Sequence, residues 1–189
     1  MAAYLYRRSG FLFLRRTSDL DRRAYSSIER AYVRQFAREL DYKIEESARF
    51  LLVSPRRTAA RLATAENTLR VLKKLPLFSS RGAGRFVVYI LAPPVFERYT
   101  KLIDSSYIDL DGLYVERGLG HLVIRAGRNW QKTLAHELTH AGYQHLPLPV
   151  WLGEGLASHA EGRAGREVRE SCDQLVALFM LLEKGPQSA

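Results

Sequence analysis

The sequence predicts an α+β fold: an N-terminal helical hairpin, then a small mixed sheet, then a run of helices. Three observations lead there. Apolar residues recur at steps of three and four through most of the first 75 positions. Short runs rich in β-branched and aromatic residues replace that pattern between residues 86 and 125. Helical spacing then returns and holds towards the C-terminus. At 189 residues the chain is of one-domain size and long enough to bury a proper core.

Taken in order, Tyr25, Ile28, Tyr32, Phe36, Leu40, Ile44, Ala48 and Leu51 fall on one stripe and predict a helix from Leu20 to Leu52. In "SPRRTAARLATAENTLRVLKKLP", Ser54 suits an N-cap and Pro55 the first helical position. Leu62, Ala65, Leu69 and Leu72 form its apolar face, and Pro76 stops it. "SSRGAG" is a linker, which divides the chain into an arm and helical hairpin, 1–78, and a second unit, 79–189. There "RFVVYIL" reads as a strand closed by two prolines, and "PVFERYTKLID" as a short helix. "GLYVE" and "HLVIRA", separated by "RGLG", suit a β-hairpin. "NWQKTLAHELTHAGY" is helical, "PLPVWLGEGLASHAEG" starts another helix after Pro149, and Gly162 is placed to end it. "EVRESCDQLVALFMLLEKG" predicts a final amphipathic helix.

The chemistry is concentrated in "HELTH", residues 136–140. Residues four apart on a helix are rotated by only about 40°, so His136 and His140 present both imidazoles on one face. Imidazole nitrogens suit zinc. Glu137 projects beside such an ion without ligating it, placed to take a proton from an activated water. All five histidines lie between residues 121 and 159, and Leu134, Leu138 and Ala141 give the same helix an apolar side. Several nearby groups compete to be a third ligand: His145, Glu154, His159 and Glu161. Tyr114, Tyr143, His145 and His159 are candidates to donate to a transition-state oxyanion, with His159 and Tyr143 placed first in the catalytic set beside Glu137.

"HELTH" followed closely by "WLGEGLA" resembles the gluzincin zinc peptidases, and "GLYVERGLGHLVIRAG…TLAHELTHA…PVWLGEGLASHAEG" is similar to minimal peptidase MA-like domains. The resemblance covers about residues 86–162. It implies a zincin-like catalytic domain within 79–189, zinc ligands His136, His140 and Glu154, and Glu137 as general base. It also implies that the strand before the metal helix, "HLVIRAG", pairs with extended substrate. The chain departs from the zinc aminopeptidases in two ways. Thirteen residues separate His140 from Glu154, fewer than in those enzymes, and the G-x-M-x-N segment that holds a free amino terminus is absent. Ser158 stands where many relatives carry an acidic residue that orients a ligand histidine.

Helix geometry also selects Glu154. His145 is off the ligand face by roughly 140°. His159 and Glu161 sit further along the second helix, towards Gly162. Glu154 lies one turn in, flanked by Gly153 and Gly155 and beside the expected anchors Trp151 and Leu152. The expected function is therefore a zinc-dependent peptidase acting on peptide or protein substrates. The alternatives are a metal-binding interaction protein without turnover, or a basic nucleic-acid or membrane-surface binder.

Charge bears on the last alternative. Residues 1–85 carry 19 Lys and Arg against 8 Asp and Glu, and residues 86–189 carry 10 against 12. No interleaving of aromatic and basic residues accompanies this excess, so it reads as solvated helix faces and no nucleic-acid partner is expected. No run reaches the roughly 18–20 apolar residues of a membrane span. The arginine-rich "MAAYLYRRSGFLFLRR" suits a targeting segment or an ordered arm, against a cytoplasmic default. The single cysteine, Cys172, excludes an internal disulfide and a cysteine-based zinc site, and is expected in a helix as a small hydrophobe.

Overall fold

The structure is a computed structural model, and it describes residues 22–57, 62–75, 77–79, 85–103, 109–115 and 121–162. In chain order the elements are α1 (Arg22–Glu39), β1 (Tyr42–Glu46), β2 (Phe50–Pro55), α2 (Leu62–Leu72), β3 (Phe86–Leu91), α3 (Pro93–Ile103), β4 (Gly112–Val115), β5 (His121–Arg125), α4 (Trp130–Tyr143) and α5 (Val150–Ala160). The class is α+β. The first 21 residues, the "RGLG" turn, Cys172 and the expected C-terminal helix lie outside the described residues. Among the described residues no helix is long and apolar enough to cross a membrane.

The predicted helical hairpin is corrected. α1 ends at Glu39, Asp41 takes a left-handed φ of 53°, and the chain turns into a β-hairpin. Ile44 and Leu51 lie opposite Val53 and Glu46 in the β1–β2 ladder, not on a helix. The turn between the strands is built by Ser47: its Oγ accepts from the Arg49 and Phe50 N–H groups, and its own N–H donates to the Phe50 carbonyl. Ser54 is buried and paired with Lys43, and Pro55 ends β2, so neither begins a helix. The following helix starts only at Leu62.

The five strands form one mixed sheet in the order β1-β2-β3-β5-β4. β2, β3 and β5 run parallel, while β1 and β4 are antiparallel to their neighbours and form its two edges. The sheet thus draws strands from both sides of the "SSRGAG" segment. Because side chains alternate along a strand, the two faces receive different residues. Phe50, Leu52, Phe86, Val88, Ile90, Leu122 and Ile124 point to a face covered by α2 and α4. Leu51, Val53, Val87, Leu91 and Val123 point to the other, under α1 and α3. Both faces being covered explains why the central strands read as unbroken apolar runs.

α4 is fixed by Leu134, Leu138 and Ala141, which insert among the sheet residues of the first face. Leu134 and Leu138 are fully buried, each worth about 1.5–3 kcal/mol relative to exposure. That anchorage sets the rotation of α4 about its axis. A third, smaller cluster of Tyr143, Leu152 and Leu156, with Leu77, Phe78, Leu146 and Leu148 against it, joins α5 to the end of α4.

On the far face, His121 of β5 is enclosed by Tyr99, whose hydroxyl lies 2.9 Å from His121 Nε2, and by the edge of Tyr89 at 5.9 Å. Burial pushes its imidazole down to about 4. A histidine depressed in this way is neutral in the fold but takes a proton in the unfolded chain below about 6.5. The stability it leaves intact at neutral pH is therefore lost as pH falls from about 6.5 towards 4. Unfolding of chelator-treated protein is expected to cost about 2 kcal/mol less at pH 5 than at pH 8 from this residue alone. Denaturant melts of the parent and a His121→Phe variant check it: equal pH dependence in the two would refute the assignment.

Candidate metal centre

The apolar stripe that docks α4 leaves the opposite side of the helix free. His136 and His140 stand roughly 200° round from Leu134 and Leu138, so sheet packing aims both imidazoles away from the core. α5 crosses there. Its Leu152, Leu156 and Ala157 are buried, and Glu154 lies between them along the chain on the side facing the histidines. Leu152 is the anchor the sequence suggested, but Trp151 is not: it is 64% exposed, because the seam of apolar contacts takes only the side of α5 bearing Leu152 and Leu156.

Three donor atoms converge. His136 Nε2 lies 3.1 Å from His140 Nε2 and 3.4 Å from Glu154 Oε2; His140 Nε2 lies 3.5 Å from Glu154 Oε1. His136, His140 and Glu154 form a group that could hold a metal ion. The donor set fits a small divalent cation: two neutral imidazoles and one carboxylate, which is partly exposed and so leaves a side open to solvent. Burial and the neighbouring His136 lower the pKa of His140, against the opposing pull of Glu154, which keeps its ring neutral and available for ligation.

Glu137 is not one of the three converging donors. Its side chain is buried against β4, where its carboxylate accepts a hydrogen bond from the Tyr114 backbone N–H. Burial, helped by the charges of Glu154 and Glu161, pushes the carboxyl up to about 8 despite that hydrogen bond. A cation held by the adjacent ligands would act in the opposite direction.

Sequence reasoning did not anticipate what makes room for it. A Cβ on Gly112 would stand 2.5 Å from Thr133 Cγ2 and 2.8 Å from Glu137 Oε1, so β4 reaches α4 only because residue 112 has no side chain. Gly112→Ala is expected to displace Glu137 and cost about 1–3 kcal/mol of stability through overpacking. Thermal melts beside activity assays check it; wild-type values in both would show that the strand tolerates the methyl. The signal was a glycine opening a predicted strand, a mark of close backbone approach.

The remaining candidates are not drawn into the ligand group. Tyr143 is buried in the α4–α5 seam, its ring edge-on to Phe78 at 5.9 Å, and burial pushes its hydroxyl up to about 12. His159 stands about 140° round α5 from Glu154 and is absent from the converging set. His145 is exposed beyond the end of α4. Tyr114 packs on the α2/α4 face of the sheet and donates its hydroxyl to Gln144 Oε1. Glu161, set aside as a ligand, lies behind His136, with Oε1 3.0 Å from its Nδ1.

The strand expected to accept substrate is also corrected. β5, which contains "HLVIR", has both edges occupied, by β3 and β4. Among the described residues, the sheet edge beside α4 is β4.

No protein-family model matches this chain. No curated protein sequence matches it either.

Proposed function

We propose that the chain is a zinc-dependent peptidase in which Glu137 is the general base. The observation that carries the reading is the spacing of the three donors. Nitrogen and oxygen ligands at 2.0–2.1 Å in a tetrahedron stand about 3.3 Å apart, and the separations here are 3.1, 3.4 and 3.5 Å. Three protein donors with an open side suit a catalytic site, where structural zinc is closed by four. Bound zinc supplies Lewis acidity at a peptide carbonyl and lowers the pKa of water towards neutrality. Glu137 takes a proton from the attacking water and passes it to the leaving amine. Edge strand β4, whose Tyr114 N–H already binds Glu137, offers main-chain groups to an extended peptide, a mode that gives little side-chain preference.

Elemental analysis of protein purified without chelator is expected to give about one zinc per chain. A peptide-library screen on the same sample should show cleavage abolished by a chelator and restored by zinc. Absence of metal, with none taken up on titration, would sink the reading. Stoichiometric zinc with no cleavage would favour the metal-binding interaction protein instead.

A further inference from the structure

We propose that Phe78 is a positioning residue of the metal centre: its ring, held in a notch at Gly142, fixes α5 against α4 and so sets where the Glu154 carboxylate stands. The inference rests on the metal reading for its affinity arm and on side-chain packing alone for its structural arm. Glu154 reaches His136 and His140 from a different helix, so its place depends on how α5 docks. The docking residues Leu152 and Leu156 stand either side of it along the chain and pack in the cluster that contains Tyr143, Leu77 and Phe78. Phe78 also packs against the main core, which holds Leu134 and Leu138 of α4. Among the described residues it is the side chain common to both clusters. One ring thus ties the seat of α5 to the core that fixes α4.

Several independent features put the ring there. A Cβ on Gly142 would stand 2.5 Å from Phe78 Cδ2 and 2.6 Å from its Cζ, so the ring fills space that a side chain at residue 142 would take. The ring meets Tyr143 edge-on, a geometry favoured beyond the area it buries. The backbone is pinned on both sides of it. Phe78 N–H donates to the Leu75 carbonyl at 3.3 Å, and Ser79 N–H donates to the Gly142 carbonyl at 3.1 Å. The second bond satisfies one of the carbonyls that the last turn of α4 leaves without an intrahelical partner. Just before the ring, Leu77 holds a left-handed φ of 60°, which a leucine keeps only where its surroundings impose it. Strain, a missing side chain and a helix cap converge on Leu77, Phe78 and Ser79, none of which belongs to the ligand group. Their common effect is to seat the helix that carries Glu154.

The test uses the full chain. Titration of Phe78→Ala with zinc alone should show affinity lower by about tenfold or more, because apparent affinity falls with the fraction of chains whose ligands are assembled. Gly142→Ala should do the same by displacing the ring, although alanine is the better helix former. The two losses should not add. Once the ring is gone its clash with the methyl is gone too, so the double variant should bind zinc as Phe78→Ala does. Phe78→Leu, which keeps apolar volume but not the ring, should fall between, and it carries the test should the alanine variant fail to fold. In metal-free samples of Gly142→Ala, Overhauser contacts between Tyr143 and Leu152 should weaken while those of Leu134 and Leu138 with the sheet persist. Parental zinc affinity in Phe78→Ala overturns the proposal; a lower melting temperature beside it makes the ring merely structural. Additive losses in the double variant overturn it too. If the parent takes up no zinc, the metal reading fails by itself and the Overhauser contacts alone decide: retained in Gly142→Ala, they remove Phe78 from the seat of α5.

Discussion

Glu137→Gln is expected to keep its metal and lose about a hundred- to ten-thousand-fold in peptide cleavage. The amide has the size of the carboxylate and still offers an oxygen to the Tyr114 N–H that holds Glu137 in place. The narrow space against Gly112 and Thr133 is therefore refilled without a clash. What is lost is the basic oxygen. A cation held by His136, His140 and Glu154 would favour the ionised carboxylate against the burial that raises it, leaving it free to take a water proton near neutral pH. Steady-state cleavage measured beside zinc content checks the prediction. Near-normal turnover with metal in place would assign the base elsewhere.

Glu154→Ala is expected to weaken zinc binding by more than about a hundredfold, beyond what loss of an outer-shell partner costs. Among the described residues, Glu154 is the carboxylate that converges on both imidazole nitrogens, at 3.4 Å from His136 and 3.5 Å from His140. Because its side chain is half-exposed, truncation leaves no cavity, and the variant should fold. His145→Ala and His159→Ala, outside the converging group, should bind as the parent does. Competition with a chromogenic chelator gives all three affinities. Parental affinity in Glu154→Ala would remove it from the ligand set.

The site was legible in the sequence because its geometry is local. His136, Glu137 and His140 share one helix whose pitch fixes their relation, and the apolar stripe of Leu134, Leu138 and Ala141 fixes which way they face. Glu154 was legible for the same reason on α5, given a turn short enough to bring the helices together. Glu161 was also within reach, since a seven-residue spacing from Glu154 returns to the same face, but its place behind His136 depends on how α5 crosses α4. Gly112 and the Tyr114 N–H were harder, because their relation to Glu137 depends on how β4 lies against α4, and no periodicity encodes that.

The N-terminal error has a definite cause. Leu40, Ile44, Ala48 and Leu51 continue a stripe of threes and fours, but "YKIEE" and "FLLVSP" also alternate or run apolar as strands do. Over a few residues the two periods coincide. Arbitration came from Asp41, which accepts a left-handed conformation, and from Ser47, whose hydroxyl closes the tight turn. Both are turn residues, and both were overridden by the longer pattern. The α+β class survived because the sheet gained two strands without losing its helical layers.

The attachment of α5 has a thermodynamic consequence. The sheet and its four flanking helices share two extensive cores, whereas α5 is joined through a minor patch around Tyr143, Leu152 and Leu156. A segment so attached is the natural unit of sub-global opening, able to swing away while amides in β3 and β5 stay protected from exchange. An ion shared between α4 and α5 changes that by mass action: at a free concentration a hundred times the dissociation constant it adds about 2.7 kcal/mol to the closed state. A metal ion held there would then act as a staple between the two helices. The same event that completes the centre would set how often the helix bearing one of its ligands lets go.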